Sequence, residues 1–340
     1  MPNHSHSSNE TCVLQPQHDC SRSFLADVYE TGASNGSAAV RFDSCSPAQL
    51  LDLSRAENLV WAVGPFLIRL TTHDATVVNA LRFLYRAAPL LTEPATAITD
   101  FHLSVRSSFG GFTSTIFVDG QPIFRRVRKR HLVPMVEWAL NLCAFQGCHH
   151  YLTVHAAVLE RGGRVLMLPA LSGSGKSTLC AALSQKSWRL FSDEVALIDL
   201  NNGLIHPAPR PISLKRDAIE LIRQRFPQAI LGPTWRGTIK GDVAHLLPMD
   251  ECVARTSITG RPGWIVFPQF IPGAATSLNP VSKARGFVRT VEQSFNFAVL
   301  GSVGFEALKR VIDQSKCYEF TYGGDLSEAW RTFQELADRD

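Results

Sequence analysis

No apolar run in this sequence approaches the roughly 20 residues that a helix needs to cross a bilayer, so a membrane protein is not expected. The first residues, MPNHSHSSNETC, contain no apolar stretch after a basic start and therefore lack the pattern of a secretory signal. Charge of one sign is not in large excess, because the net charge is only +4. These absences predict a cytoplasmic protein, and they give no argument for a nucleic-acid partner.

The sequence has eight cysteines but lacks the two paired ligand elements of a structural zinc site. In a cytoplasmic protein we expect these cysteines as reduced thiols. The segment richest in metal-ligating residues is CAFQGCHH, which contains Cys143, Cys148, His149 and His150. No second Cys-x-x-Cys or His-x-x-x-His pair accompanies it. Buried packing at a helix end is therefore the favoured interpretation, with a metal site as the alternative.

The chain has enough apolar residues for two cores, with 340 residues and 45% hydrophobic content. Residues 1–22 are polar and without periodicity, which predicts a disordered tail. Residues 23–131 show mainly strand-like patterns and predict a small α+β domain. Within it, an Asp119-Gly120 turn predicts a β-hairpin, and DATVVNALRFLYRAA predicts a helix with Asp74 as its N-cap.

A helix predicted at residues 132–150 connects this domain to a second one at residues 151–340. The apolar stripe of that helix consists of Val133, Val136, Leu140 and Cys143. In the second domain, YLTVHAAVLERGGRVLMLPA predicts two strands joined by a turn at Gly162-Gly163. Helical and strand-like segments alternate beyond it. This alternation predicts an α/β domain with a largely parallel sheet.

The segment ALSGSGKST, residues 170–178, follows an apolar strand and precedes a predicted helix; we call it the glycine loop. Phosphates need several converging donors, and backbone N–H groups supply them where Gly173 and Gly175 alternate with small side chains. The helix would direct its N-terminal dipole at the same anion. A Gly/Ser-rich turn without a ligand is the alternative.

The glycine loop matches the Walker A pattern G-x-x-x-x-G-K-[ST] except that its first glycine is Ala170. Alanine fits there if its φ is negative, and costs about 1 kcal/mol or more if the residue must be left-handed. The pattern predicts a nucleoside triphosphate with Mg²⁺: Lys176 would reach the β- and γ-phosphates, and the Ser177 hydroxyl would contact the metal. The predicted nucleotide contacts are Ser172, Gly173, Ser174, Gly175, Lys176, Ser177 and Thr178.

Asp193 and Glu194 follow the loop after just enough residues for one helix and a returning strand, so we expect them beside the loop. Because neighbouring side chains on a strand point to opposite faces, only one acid should meet the phosphates directly. We favour Asp193, as catalytic base or metal ligand, with Glu194 on the reverse face or at a bend. His155, on the strand before Gly162-Gly163, should also lie near the phosphates. Surface charges and a core histidine are the alternatives.

These segments together resemble the C-terminal catalytic domain of bacterial HPr kinase/phosphorylase: a strand with His155, a hairpin, SGSGKST, a helix and RLFSDE. A closer resemblance is to the HPr-kinase-related kinases. It is carried by HAAVLERGGRVLMLPALSGSGKSTL, WRLFSDEVALID, PRPISLK and KGDVAHLLP, and in the first half by VGPFLIRL and EWALNLC. The resemblance covers most of the chain from about residue 55.

This resemblance implies an ATP-dependent phosphotransferase: an α/β P-loop kinase domain related to phosphoenolpyruvate carboxykinase, preceded by the small α+β domain. It implies that Asp193 acts as base on a serine hydroxyl and that His155 assists. Glu194 stands where the HPr kinases have a second aspartate. PRPISLK replaces their downstream signature, so the same acceptor protein does not follow.

Basic residues offer further candidates. Arg210, Lys215 and Lys240 are candidates for anion or transition-state contacts, because guanidinium and ammonium groups stabilise a migrating phosphoryl group; solvated surface charges are the alternative. The segment FRRVRKRH, residues 124–131, is strongly basic but has no interleaved aromatic residues, which disfavours nucleic acid. An acidic peptide or partner protein is equally compatible.

The favoured function is a kinase that transfers the γ-phosphoryl group of Mg·ATP to a hydroxyl group, of a peptide or protein Ser/Thr or of a small metabolite. A binding module that only senses ATP is the alternative. A transporter-type ATPase is disfavoured, because no Leu-Ser-Gly-Gly-Gln segment is present. No membrane partner is expected, and a homo-oligomer is left open.

Overall fold

The computed structural model describes residues 40–91, 94–146 and 149–339. The tail predicted at residues 1–22 and Cys148 lie outside the described residues. The protein is a mixed α/β protein with several mixed or antiparallel sheets. In the described part of the chain, no helix is both long and apolar enough to span a bilayer.

The first half of the chain forms a five-stranded sheet in the order β1-β2-β3-β4-β5. Its strands are β1 (Leu59–Val63), β2 (Phe66–Thr72), β3 (Phe101–Ser107), β4 (Thr113–Val118) and β5 (Gln121–Arg128). Its helices are α1 (Pro47–Arg55), α2 (Ala75–Leu84) and α3 (Leu132–Gln146). Neighbouring strands are antiparallel except β2 and β3, which are parallel and joined through α2.

Two local predictions in this half are confirmed. The Asp74 side chain caps α2 by accepting the N–H groups of Thr76 at 2.8 Å and Val77 at 3.4 Å. β4 and β5 form the predicted hairpin, and its turn residues Asp119 and Gly120 both have positive φ, 48° and 77°. That conformation matches the twist of the two strands and suits Asp and Gly.

Helix α3 packs into the core of the first half rather than serving only as a connection. The predicted apolar stripe is buried in one cluster with Trp61 and Leu81; it consists of Val133, Val136, Leu140 and Cys143. Tyr151, Val195 and Leu197 of the second half join the same cluster. The two halves therefore share part of one hydrophobic core, and α3 ends at Gln146, before the predicted boundary.

The second half is built on a six-stranded sheet in the order β16-β17-β15-β8-β7-β9. Its strands are β7 (Ala156–Arg161), β8 (Arg164–Pro169), β9 (Arg189–Ser192), β15 (Arg261–Phe270), β16 (Ser277–Pro280) and β17 (Lys316–Tyr322). The pairings of β15 with β8 and with β17 are parallel, and the other pairings are antiparallel. The predicted largely parallel sheet is thus wrong, because β7 inserts between β8 and β9 and runs opposite to both.

Two three-stranded antiparallel sheets complete the second half, β11-β10-β6 and β12-β14-β13. Their strands are β6 (Tyr151–Val154), β10 (Ala196–Asp199), β11 (Ile205–His206), β12 (Ile212–Lys215), β13 (Trp235–Thr238) and β14 (Gly241–Leu246). The single strand predicted before Gly162-Gly163 is divided at His155, because β6 pairs with β10 whereas β7 belongs to the six-stranded sheet.

Helices cover both faces of the six-stranded sheet. They are α4 (Lys176–Ser184), α5 (Asp217–Arg225), α6 (Asp250–Ala254), α7 (Lys283–Val291), α8 (Phe297–Gln314) and α9 (Leu326–Asp338). Along β8, Leu166 and Leu168 pack in the cluster that contains α4 and α9, while Val165 and Met167 pack in the cluster that contains α8. A strand buried on both faces reads as a continuous apolar run, as β8 does.

Candidate functional site

The ends of five strands meet at one edge of the six-stranded sheet. β8, β15 and β17 run in one direction and end there, at Pro169, Phe270 and Tyr322. β7 begins at this edge, since Ala156 lies opposite Pro169, and β9 ends at it, since Ser192 lies opposite Val158. The glycine loop, His155 and Asp193 are therefore brought together by the sheet.

The glycine loop has the backbone that its sequence requires. Gly173 and Gly175 have φ of 93° and 84°, in the left-handed region. A Cβ on Gly175 would collide with the Tyr322 hydroxyl and lie 2.9 Å from the Phe270 Cβ, so no other residue fits there. Ala170 is buried and is not among the residues with positive φ, which explains why alanine is accepted at that position.

Several N–H groups of the loop are available to a ligand. In the described part of the chain, the N–H groups of Gly173, Gly175 and Lys176 donate to no acceptor. They adjoin the N-terminus of α4, where four N–H groups of any helix lack intrahelical partners. Converging donors with the helix dipole behind them form an arrangement that suits an anion.

Aromatic residues at the ends of two strands, Phe270 of β15 and Tyr322 of β17, donate hydrogen bonds to the backbone of the loop. The N–H of Phe270 donates to the Ser174 carbonyl at 3.1 Å, and the Tyr322 hydroxyl donates to the Gly175 carbonyl at 3.0 Å. The Tyr322 ring lies 5.4 Å from the ring of Phe270. Phe270 and Tyr322 were not predicted from the sequence, because no local motif indicates that the end of a strand distant in the chain contacts the loop.

Lys176 and His155 are in direct contact. The buried Lys176 Nζ lies 2.9 Å from His155 Nε2, while His155 Nδ1 lies 3.0 Å from the backbone oxygen of Glu194. Nδ1 therefore carries the ring proton and donates a hydrogen bond to the Glu194 backbone carbonyl, which leaves Nε2 to accept one from the ammonium group. Burial and the charge of Lys176 lower the pKa of His155, so the neutral imidazole is favoured.

The two acids follow β9 at a bend rather than within the strand. β9 ends at Ser192, whose hydroxyl accepts the N–H groups of Glu194 at 3.3 Å and Val195 at 3.1 Å. Glu194 Oε2 lies 3.7 Å from His155 Nδ1. The reverse-face placement of Glu194 is thus wrong and the bend is observed, because a hydroxyl-stabilised turn removes the alternation of strand side chains.

Asp193 is the most unusual carboxylate at this edge. Its side chain is buried, with 4% exposed, and neither carboxylate oxygen meets hydrogen-bond geometry with a partner among the described residues, although the Ser177 hydroxyl and the Cys180 thiol lie close to it. Burial first, and then Glu194, raise the pKa of Asp193 to about 7, while Lys176 and the Ser177 hydroxyl act to lower it. A buried carboxylate without partners is costly unless it meets a proton, a ligand or a cation.

The donor set beside the loop fits Mg²⁺. Mg²⁺ is usually held by one or two carboxylates together with substrate phosphates, and Asp193 and Ser177 supply a carboxylate and a hydroxyl next to the open N–H groups. No cluster of three or more His, Cys, Asp or Glu side chains suited to a metal occurs within residues 40–91, 94–146 and 149–339. The metal site considered at Cys143, Cys148, His149 and His150 is not tested by this finding, because Cys148 lies outside the described residues.

Of the three basic candidates, Lys215 and Lys240 lie near the site. The charge of Lys215, at the end of β12, acts to lower the pKa values of His155, Lys176 and Asp193. Lys240 Nζ lies 3.9 Å from the ring centroid of Trp138. Burial and Lys215 lower the pKa of Lys240, whereas Glu194 acts to raise it. The charges of both lysines thus act on titratable groups of the site.

Arg210 lines one cavity together with Asp193 and Glu194, but its side chain has partners within the protein. It is partly buried and forms an ion pair with Glu137 at 3.0 Å, and its Nε donates to the Tyr85 hydroxyl at 3.1 Å. Glu137 lies on α3 and Tyr85 follows α2, so Arg210 connects the two halves of the chain. Its hydrogen bonds are used within the protein, which disfavours a direct contact with an anion.

Two other predicted features lie apart from this chemistry. The basic segment forms the exposed edge strand β5 and the turn after it, where His131 Nε2 lies 3.2 Å from the Arg236 carbonyl. Among the described residues, Cys45, Cys180, Cys252 and Cys317 are free thiols.

No protein-family model matches this chain, and no curated protein matches it in sequence.

Proposed function

We propose that this protein is an ATP-dependent phosphotransferase, similar to the HPr-kinase-related kinases and built on a P-loop fold related to phosphoenolpyruvate carboxykinase. It transfers the γ-phosphoryl group of Mg·ATP to a hydroxyl group, with a peptide or protein Ser/Thr as the favoured acceptor. One observation carries the proposal: open loop N–H groups, Lys176 and an unpartnered buried Asp193 converge at one sheet edge.

Triphosphate binding follows from the loop. The N–H groups of Gly173, Gly175 and Lys176 would donate to phosphate oxygens, as would the N-terminus of α4. Lys176 would donate to the β- and γ-phosphates while it keeps its contact with His155, since its ammonium group has three donors and a flexible stem. His155, neutral and anchored on the Glu194 carbonyl, then orients that ammonium group.

Asp193 has the properties of a general base. A base with a pKa near the working pH combines a sufficient deprotonated fraction with proton affinity, and the pKa of Asp193 is about 7. In the transfer step, Asp193 takes the proton of the acceptor hydroxyl, and that oxygen forms a bond to the γ-phosphorus. The bond from the γ-phosphorus to the bridging oxygen breaks, and ADP leaves. Lys215 stabilises the charge that spreads over the phosphoryl oxygens.

Mg²⁺ would be held by Asp193 and Ser177, and when bound it neutralises phosphate charge and orients the triphosphate. If Asp193 is a metal ligand only, a pH-dependent proton transfer to it is not expected. The pH profile described in the Discussion separates these two roles.

The experiment is a γ-phosphoryl transfer assay with mass detection of the modified acceptor, run against the protein products of neighbouring genes and a metabolite mixture. A mass increase of one phosphoryl group that requires Mg·ATP and disappears with Asp193→Asn is expected. ATP binding without any transfer to either pool would favour the ATP-sensing module instead. Failure to bind ATP at all would overturn the assignment of the loop.

A further inference from the structure

The glycine loop divides its sheet edge into two chemically different flanks. β8, which carries the loop, lies between β7 and β15 in the order β16-β17-β15-β8-β7-β9. On the β7 and β9 side lie His155 and Asp193. On the β15 and β17 side lie Phe270 and Tyr322, the last residues of those strands. One flank is thus charged and titratable, and the other is aromatic.

Lys176 shows which end of a bound triphosphate would face each flank. Its Nζ points to the charged flank, where it contacts His155. The charge of Lys215 also acts on Lys176 and Asp193. A triphosphate threaded along the loop would therefore place its γ-phosphate on the charged flank. The nucleoside must then extend toward Phe270 and Tyr322.

Exposed apolar side chains occur at this second flank. Phe270 is 40% exposed, Ile271 is 42% exposed, and Leu171 of the loop itself is 71% exposed. The Phe270 ring is fixed by the Tyr322 ring at 5.4 Å, and its backbone N–H by the Ser174 carbonyl. An aromatic ring held in place yet open to solvent, beside a phosphate-binding loop, is a platform for a flat aromatic ligand.

We propose that the base of the nucleoside triphosphate stacks on Phe270, with Ile271 and Leu171 at the border of the same apolar surface. This inference rests on the proposed function and adds the direction of the nucleotide across the sheet edge. Because stacking uses the face of a base and not its hydrogen-bonding edge, ATP and GTP bind with similar affinity. Purines bind more tightly than pyrimidines, since they cover more of the apolar surface.

The test compares two ligands that share the triphosphate and differ in the nucleoside. Affinities for Mg·ATP and for inorganic tripolyphosphate with Mg²⁺ are measured by calorimetry on the full chain, its Phe270→Ala variant and its Phe270→Tyr variant. Phe270→Ala should weaken ATP binding roughly five- to hundredfold, the range of one lost aromatic–base stack. Its tripolyphosphate affinity should be unchanged, and Phe270→Tyr should keep both.

A matched control is Phe109→Ala, because Phe109 is a fully exposed phenylalanine between β3 and β4. Its replacement should change neither affinity. Unchanged tripolyphosphate binding also shows that Phe270→Ala is folded. Equal losses for both ligands, or an unchanged ATP affinity, would overturn the stacking inference while leaving the phosphotransferase intact. If the wild-type chain binds neither ligand, the proposed function itself fails.

Discussion

Lys176 Nζ lies 2.9 Å from Nε2 of His155, so the cation of the glycine loop is held by a neutral histidine that is anchored on the Glu194 carbonyl. This contact keeps a buried ammonium group paired before any phosphate arrives. It also fixes the direction of the Lys176 side chain, toward the flank that contains Asp193.

Lys176→Ala should weaken ATP binding roughly ten- to hundredfold, because it removes the charge-assisted hydrogen bonds to the β- and γ-phosphates. Calorimetric titration with Mg·ATP measures the loss. Lys309→Ala serves as the control, since Lys309 is exposed on α8 and pairs with Asp313. An ATP affinity that is the same in Lys176→Ala and Lys309→Ala would contradict the loop assignment.

Asp193→Asn should lower phosphoryl transfer roughly 10²- to 10⁴-fold while ATP binding is retained, because the amide keeps the size of the carboxylate but cannot accept the proton. In the wild type, transfer should rise with pH through about 7, as Asp193 loses its proton, and the variant should lack this rise. Transfer is measured from the mass shift of the acceptor between pH 5 and pH 9, which extends about two units on either side of the pKa of Asp193.

Glu194→Gln is the companion variant. Since Glu194 raises the pKa values of Lys176 and Asp193, its loss should lower the pH at which transfer rises, with a milder effect on the maximal rate than Asp193→Asn. If Glu194→Gln abolishes transfer while Asp193→Asn remains active, the catalytic base is Glu194 instead of Asp193.

Tyr322→Phe should weaken ATP binding roughly two- to tenfold, because it removes the hydrogen bond from the Tyr322 hydroxyl to the Gly175 carbonyl that fixes the loop. Tyr318→Phe is the control on the same strand, β17. Because Tyr322 acts on the loop backbone, tripolyphosphate and ATP should lose affinity equally in this variant. A loss limited to ATP would mean that Tyr322 contacts the base directly.

His245 should make the protein less stable in mild acid. Burial and Arg210 lower the pKa of His245 to about 3, below the unfolded value of about 6.5. Between these values the unfolded chain binds one more proton, so stability is full above pH about 6.5 and falls as pH decreases, by about 2 kcal/mol at pH 5. Urea unfolding of the wild type and His245→Gln at several pH values should show a shallower slope in the variant. Identical slopes would contradict this.

Arg210→Met should lower the free energy of unfolding by about 3–5 kcal/mol, since it leaves the Glu137 carboxylate buried without its partner. The double variant Arg210→Met with Glu137→Gln should recover part of that loss. Where the single variant is folded, its tripolyphosphate affinity should match the wild type. A selective loss of tripolyphosphate binding would return Arg210 to the anion contacts.

Short-range chemistry explains which features could be predicted. The N-cap at Asp74, the Asp119-Gly120 hairpin and the turn at Gly162-Gly163 each depend on residues within one turn of one another. The left-handed Gly173 and Gly175 are likewise required by local backbone geometry. For such features the residues that determine the local structure are close in the chain, so the sequence pattern predicts it.

The pairing of the strands and the partners of individual side chains could not be predicted in this way. β7 inserts between β8 and β9 and makes the sheet mixed, and the bend at Ser192 places Glu194 beside His155. Arg210 has the same local pattern whether it contacts a phosphate or Glu137.

By itself the sequence determined the glycine loop, the presence of Lys176 in it and the nearby acid pair, because those depend on residue type and local spacing. Only the tertiary structure decided that Asp193 is buried without partners and that Phe270 and Tyr322 hold the loop from the opposite flank. Burial, and contact between strands distant in the chain, result from how the strands are ordered in their sheets and how the sheets pack. That arrangement is a property of the whole chain, and no short segment encodes it.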